Sequence, residues 1–480
     1  MKLSHTPRAT SAVFDDPNLV SSAGLVPALG LAESAGLRDL CDEHLTVPSD
    51  KGANAGLKVA SLVAGMAAGA DSIDDMAVLR HGGMGRVFAG AYAPSTLGSF
   101  LRSFAFGHVR QLDAVASRFL TELAGTSAVT AGVEELAILD VDDTVVQVHG
   151  YAKQGAGFGY NHVRGLNALI ATVSSPQAAP VIVAQRLRKG SANSARGAQR
   201  LVADALKTVR GLTNQSATQS ADGSTGGGSR CGRTLLRADS AFYGHAVVGA
   251  AVKAGAEVSV TVRMDKRVKA AIATISDHAW TTIAYSNAVF DEATGRWISV
   301  AEVAEIDFVA FTSKKKADQV PGRLVVRRIP DLAPTSQDTQ ATLFDVWRHH
   351  AVFTTTPREV ADTVAADKIH RGHAIIEQVH ADLKDSALAH LPSGKFNANA
   401  AWLVLAVMAF NLTRTAGALG GGELARATTG TIRRKLIQVP ARVATSARRL
   451  ILHLPKAWPW EHAWTRLFTA VSDPPLHQAA

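Results

Sequence analysis

The stretch Leu136–His149, LAILDVDDTVVQVH, decides the fold. It is an apolar run long enough for a buried strand and too short for a good helix, yet it carries three carboxylates in its middle. Side chains of a strand alternate between faces, so Asp140, Asp142 and Thr144 share one face while Leu139, Val141, Asp143 and Val145 share the other. Two carboxylates projecting together from a central strand are expensive unless something cationic neutralises them, and a divalent metal ion would do so.

Downstream, GYAKQGAGFGYNHVRG is a glycine-rich turn. Gly155, Gly157 and Gly159 precede another strand instead of opening a helix, so they read as a hairpin connection and not as a nucleotide-binding loop. LNALIATVSS and PVIVAQRLRKG read as two further strands and Ser194–Val209 as an amphipathic helix, which is a mixed α/β beginning. Thr213–Arg230 is rich in Gly, Ser and other polar residues and reads as a flexible loop. Beyond it, TLLRADSAFYGH is an apolar run that ends on Asp239. A carboxylate there either presents a ligand at the sheet edge or caps the next turn.

HAVVGAAVKAGA then gives a helix and EVSVTVRM a strand. From about 264 to 346 the segments WTTIAY, WISVAEV, EIDFVAF and RLVVRRI alternate and are β-branched, the mark of a largely antiparallel β unit. It reads as an insertion, because HHAVFTTT resumes the α/β pattern and Thr356–Glu359, with Pro357 at the first helical position, predicts a helix start.

The third chemical element is HRGHAIIEQVHADLKD. Read as one helix, it places Glu377 and Lys384 on the same face with His370 and His373 one and two turns back, while Ile375, Ile376, Val379 and Leu383 cover the other side. Such a stripe on a lone helix is an ordinary solvated face. Its company gives it meaning: Asp142, Asp239 and Glu377 come in the order strand, strand, helix, separated by the segments an α/β sheet needs to bring them together.

Composition narrows the function classes. The 480 residues are 47% hydrophobic and 19% charged, as in ordinary globular cores, and the formal net charge of +9 favours a polyanionic partner such as nucleic acid. Cys41 and Cys231 lie far apart, which supports neither a disulfide framework nor a Cys-based zinc site. The N-terminus has no apolar signal region, and the longest apolar run, Ala400 to Phe410, is shorter than a bilayer requires, so a soluble protein is expected. Residues from about 20 to 130 read as helices, with Arg80, Arg86, Arg102 and Arg110 either contacting phosphates or forming a solvated face. Ala398–Leu412 reads as a buried helix. The tail beyond it clusters Arg433, Arg434, Lys435, Arg442, Arg448, Arg449 and Lys456 near Trp458, Trp460 and Trp464, as a phosphate-tracking segment or as a surface helix and strand docked on the core.

These ordered motifs resemble a known family. LDVDDTVVQVHG, the Tyr-Asn pair of GYNHVRG, RADSAFYG and the E-x6-K of EQVHADLK are similar to the DDE transposases of bacterial insertion sequences, specifically the insertion sequence 1380 group. The resemblance implies an RNase H-like mixed sheet flanked by helices, with a β insertion between the second aspartate and the glutamate. It implies a catalytic, metal-binding triad of Asp142, Asp239 and Glu377, because the family's first aspartate precedes a small residue and then Thr, here Asp143 and Thr144. Asp140, on the same strand face, is the other candidate for the first ligand. Lys384 matches a lysine that holds DNA. The related Y-x2-R-x3-E-x6-K pattern departs here: its Tyr and Arg places hold His370 and His373, with Arg371 displaced nearby and still within reach of a phosphate.

The implied activity is binding of terminal inverted repeats, followed by metal-dependent cleavage and transfer of DNA strands. Carboxylate oxygens suit Mg²⁺ or Mn²⁺, and two such ions serve phosphodiester displacement. Implied partners are double-stranded DNA, as element ends and as target, and a second copy of the chain in the DNA complex. The implied location is the cytoplasm, at the nucleoid. The expected division is a helical region at 1–130 for DNA ends, core at 131–263, β insertion at 264–346, core with the Glu-bearing helix at 347–420, and a basic region at 421–480. Two rival readings stand beside this one: a DNA-binding relative without turnover, and a hydrolase using His370, His373, Glu377 and His380, whose H-x2-H-x3-E-x2-H spacing lacks the pair of H-E-x-x-H.

Overall fold

The computed structural model describes residues 1–48, 50–220, 232–291, 296–330, 347–446 and 449–472. The chain begins with a short strand, β1 (Leu19–Val20), and a helical array: α1 (Leu25–Ser34), α2 (Leu37–His44), α3 (Ala55–Ala68), α4 (Met84–Val87), α5 (Pro94–Arg102) and α6 (Phe106–Gly125). The organising strand follows as β2 (Leu136–Gln147), then β3 (Gly157–Phe158), β4 (Arg164–Ser174) and β5 (Val181–Lys189). Helix α7 (Ala198–Ser220), β6 (Arg233–Ala238), α8 (His245–Lys253), β7 (Glu257–Thr261) and α9 (Lys266–Ile272) come next.

Strand β2 sits inside a mixed sheet, antiparallel to β4 and parallel to β6, and β6 is parallel to β7. Strands β3 and β5 both pair with β4, and Gly157 pairs with Gly165, so the glycine-rich segment is a hairpin connection. The alternation along β2 sorts its neighbours. Leu139 and Val141 enter one core with α7, α8 and β7, whereas Val146 and Val148 enter a second core with the N-terminal helices.

Beyond β7 the same sheet continues through β11 (Trp347–Thr354), β10 (Val320–Pro330), β9 (Arg296–Ala310) and β8 (Thr281–Asp291), all antiparallel. WISVAEV and EIDFVAF, read separately in the sequence, belong to the single long strand β9. The chain then runs through α10 (Thr363–Arg371), α11 (Ile375–Lys384), α12 (Phe396–Gly420) and α13 (Thr429–Ile432). Strands β12 (Ala441–Ser446) and β13 (Arg449–His453) and helix α14 (Glu461–Ser472) follow. Strand β12 lies between β1 and β13 in a second, three-stranded sheet, so residues from both ends of the chain close one small core.

Helix α12 is the one described helix long and apolar enough to cross a membrane, and 89% of its most apolar window is buried within the protein. It packs against α3, α5, α6 and β5. Its polar residues are used internally: Asn411 accepts from Ile182 N at 2.9 Å and donates to Ile182 O at 2.8 Å, acting as a strand partner for the free edge of β5. Trp402 Nε1 donates to Ala387 O at 2.6 Å.

Two sequence boundaries move. Helix α7 extends through Ser220, into the segment expected to be a loop, and 221–231 lies outside the described residues. The helix expected at Thr356 begins at Thr363, capped by Asp362, whose carboxylate accepts from Ala365 N at 2.8 Å. After Thr356, whose hydroxyl donates to Glu257 Oε2 at 2.7 Å, the chain makes only a turn, with Val360 N and Ala361 N both donating to Pro357 O at 3.1 Å; Arg358 donates to Asp307 Oδ1 at 2.7 Å and also pairs with Glu305.

Candidate active site

Register places the acids. Pairing of the parallel strands β2 and β6 runs from Leu136↔Arg233 to Val141↔Ala238 and then stops. Asp142 and Asp239 are the next residue on each strand, so they stand side by side where two parallel strands part, a usual place for a ligand in an α/β sheet. Two residues earlier, Asp140 is the register partner of Arg237. One strand pair therefore carries an acid–base pair and then two acids.

The inner pair is closed. Asp140 is fully buried and accepts from Arg237 Nε at 2.8 Å and Nη2 at 2.7 Å, and it bonds His373 Nδ1 at 2.8 Å. Arg237 Nη1 also donates to Ile369 O at 2.6 Å on α10. This explains a break in what the sequence presents as one helix. Residues Gly372–Ala374 form a 3-10 turn between α10 and α11, and a Cβ at Gly372 would lie 2.6 Å from Arg237 Nη1.

The outer pair is open. Asp142 is partly exposed, with its nearest ionic neighbour the buried His380, whose Nε2 lies 3.4 Å from Asp142 Oδ2. Asp239 is exposed and caps a 3-10 turn by accepting from Ala241 N at 2.9 Å. The cap and ligand readings of Asp239 are thus compatible: one oxygen caps, and the group still faces Asp142. Its pKa is raised, first by loss of hydration and then by the Asp142 charge.

Glu377, exposed on α11, belongs to the same field. The Tyr160 hydroxyl, on the loop after β3, has its pKa raised by burial and then by Asp143, Asp142, Asp239 and Glu377 together. Asp143 is spoken for. It points to the opposite face, where Arg188 Nη2 donates to it at 2.6 Å and Asn167 Nδ2 also donates. Arg188 in turn donates to the Asn193, Ser194 and Arg196 carbonyls and so ties the loop after β5 to the strand that bears Asp142.

The remaining expected residues divide. Lys384 is exposed at the end of α11, its pKa lowered by partial loss of hydration. Arg371 donates from Nε to Asp367 Oδ2 at 2.7 Å and rests 4.9 Å over the Tyr285 ring. His373 is held by Asp140. His370 is held on both nitrogens, by Ser259 Oγ at 3.0 Å and Thr261 Oγ1 at 2.9 Å. The aligned stripe is therefore a correction: the break at Gly372 turns His370 and His373 into the protein. His370, His373 and His380 face Thr261, Asp140 and Asp142 respectively, so they do not converge as the hydrolase reading requires. Among the described residues, no group of three His, Cys, Asp or Glu side chains is gathered to hold a metal ion.

His370 gives a pH prediction. Burial, then His373, Arg237 and Arg327, depress its pKa from 6.5 to about 3. The unfolded chain takes up a proton as pH falls through 6.5 and the folded chain does not until about 3. The contribution is therefore complete above 6.5 and is lost toward 3, at about 1.4 kcal/mol per pH unit. Urea unfolding at pH 6.5 and 5.5 should show His370→Asn losing about 1 kcal/mol less than wild type over that step. Equal losses would exclude a buried neutral imidazole.

Sequence reading missed Arg237, Arg188 and Asn167. A signal was present: Arg237 and Arg188 interrupt strands, as Asp140 and Asp143 do, and opposite charges buried on one face of a sheet seek each other. No curated protein matches the chain. The family model described as transposase DDE domain, group 1, matches residues 5–475, nearly the whole length, and the protein belongs to that family of DDE transposases.

Proposed function

We propose that the protein cleaves and rejoins DNA strands at the terminal inverted repeats of an insertion sequence of the 1380 group, with Asp142, Asp239 and Glu377 as its catalytic carboxylates. The observation that carries this reading is the register that sets Asp142 and Asp239 side by side where β2 and β6 part; the charges of Asp143, Asp142, Asp239 and Glu377 all reach the Tyr160 hydroxyl as well. The order β5-β4-β2-β6-β7, three antiparallel strands followed by two parallel ones, supports an RNase H-like core, with β8 to β10 as the insertion.

Members of this family generally use divalent metal ions. By donor chemistry the set suits Mg²⁺ or Mn²⁺: three carboxylates from separate elements, all hard-oxygen donors, two of them repelling each other. Such ions, when bound, stabilise the attacking and leaving oxygens of a phosphodiester displacement. The chain's own residues do the rest. Asp142, Asp239 and Glu377 would hold the ions. The Asp140–Arg237–His373 cluster fixes β2, β6 and the start of α11 behind them. Lys384, exposed at the end of α11, and Arg371, half-buried and paired with Asp367, would hold the DNA backbone, with His373 and His370 positioning from within. The N-terminal helices and the basic C-terminal region would supply further DNA contacts, in a homodimeric complex at the nucleoid in the cytoplasm.

The test is cleavage of a labelled duplex carrying the element's ends by the full chain, with and without Mg²⁺. Metal-dependent nicking at the repeat boundary is expected. Salt-sensitive binding with no cleavage in Mg²⁺ or Mn²⁺ would replace this reading with that of an inactive DNA-binding relative.

A further inference from the structure

Behind α11, on the side away from Glu377, lies a cavity of about 390 Å³. At 3.6 residues per turn, Ile375, Val379 and Asp382 line it from the helix face opposite Glu377. Its volume is that of a small-molecule site.

The polar lining is cationic and incompletely satisfied. Arg414, on α12, is only 5% exposed; its two terminal nitrogens donate to the Ala425 and Ala427 carbonyls, but its Nε is buried with no hydrogen-bond partner. Buried donors are rarely left so. Arg426 adds a second, exposed guanidinium, one nitrogen of which donates to Pro176 O at 2.6 Å. Arg237 also lines the cavity but is committed to Asp140 and Ile369. The single lining acid, Asp382, already accepts from Thr429 N at 2.7 Å and Thr429 Oγ1 at 2.6 Å. Phe410, Ile375 and Val379 make an apolar wall.

We propose that this cavity binds a small ligand with one anionic group, a phosphate or a carboxylate, on an apolar body of up to nucleoside size. The anionic group meets the exposed Arg426 guanidinium, with the buried Arg414 charge behind it, and the body packs against Phe410 and α11. The proposal stands on the cavity alone and not on the transposase chemistry.

The test is calorimetric titration of the full chain, in buffer with EDTA, using thymidine 5′-monophosphate, thymidine and benzoate as probes. The monophosphate should bind at least about tenfold more tightly than thymidine, the worth of a charged hydrogen bond. Benzoate binding would mark the site as one for carboxylates as well, and its absence would restrict it to phosphates. Arg426→Gln, at an exposed position, should weaken the monophosphate about tenfold. Ala179→Phe, which puts a ring at a lining position, should abolish binding, and Asp142→Asn should leave it unchanged. Three results would overturn the proposal: no binding by wild type at millimolar monophosphate, binding indifferent to Arg426→Gln, or binding lost in Asp142→Asn. If Ala179→Phe fails to fold, Arg426→Gln decides alone.

Discussion

Asp142→Asn is expected to lower Mg²⁺-dependent strand cleavage by more than about 100-fold while leaving folding and duplex binding near wild type. Asn keeps the shape of the side chain and removes the charge, and Asp142 is partly exposed and, among the described residues, has His380 as its one ionic neighbour within 4 Å, so little stability depends on it. Glu377→Gln, on an exposed helix position, should behave alike. The measurement is single-turnover cleavage of the labelled duplex, beside a gel-shift titration on the same DNA. Wild-type cleavage rates in either variant would remove that residue from the triad. The same pair of assays separates Asp142 from Asp140, because Asp140 is enclosed by Arg237 and His373 and its loss should appear in folding first.

Arg237→Met should destabilise the protein by about 3–5 kcal/mol, the cost of leaving a buried charge without its partner. Arg237 is 4% exposed and Asp140 is fully buried, so neither can turn to water for compensation. The loss reaches further than one ion pair, since Arg237 also holds Ile369 O, at the point where α10 gives way to α11. Asp140→Leu in the Arg237→Met background should recover much of the stability, as replacing both members of a buried pair by apolar groups commonly does. Urea unfolding followed by far-UV circular dichroism checks both. A loss below about 1 kcal/mol for Arg237→Met would show that the pair is not a structural lock.

Much of the candidate site was legible because charge stood where the pattern demanded apolar residues. Asp142 lies within an apolar strand, Asp239 at the end of another, and Glu377 on a helix with a full apolar stripe. Each is an anomaly of spacing, and spacing is visible in a sequence. The pairing of the neighbouring charges was not visible, because Asp140 and Arg237 meet only through the register of two strands far apart in the chain. For the same reason the stripe of His370, His373 and Glu377 looked continuous. The 3.6-residue period runs through Gly372, and only the approach of Arg237 shows why the helix breaks there. The start of α10 was misplaced because Thr356 is a good cap by type, as is Asp362 six residues on, and the helix starts after the second of them.

The small sheet has a consequence for synthesis. Leu19 and Val20 pair with Arg442 and Ala441, and the Val20 side chain shares a core with Val443. Strand β1 therefore waits for β12, made more than 400 residues later, and the helices beside it stay incompletely covered while the larger sheet is being translated. A product stopped before Ala441 would carry every acid of the candidate site and still lack β12, the partner of β1.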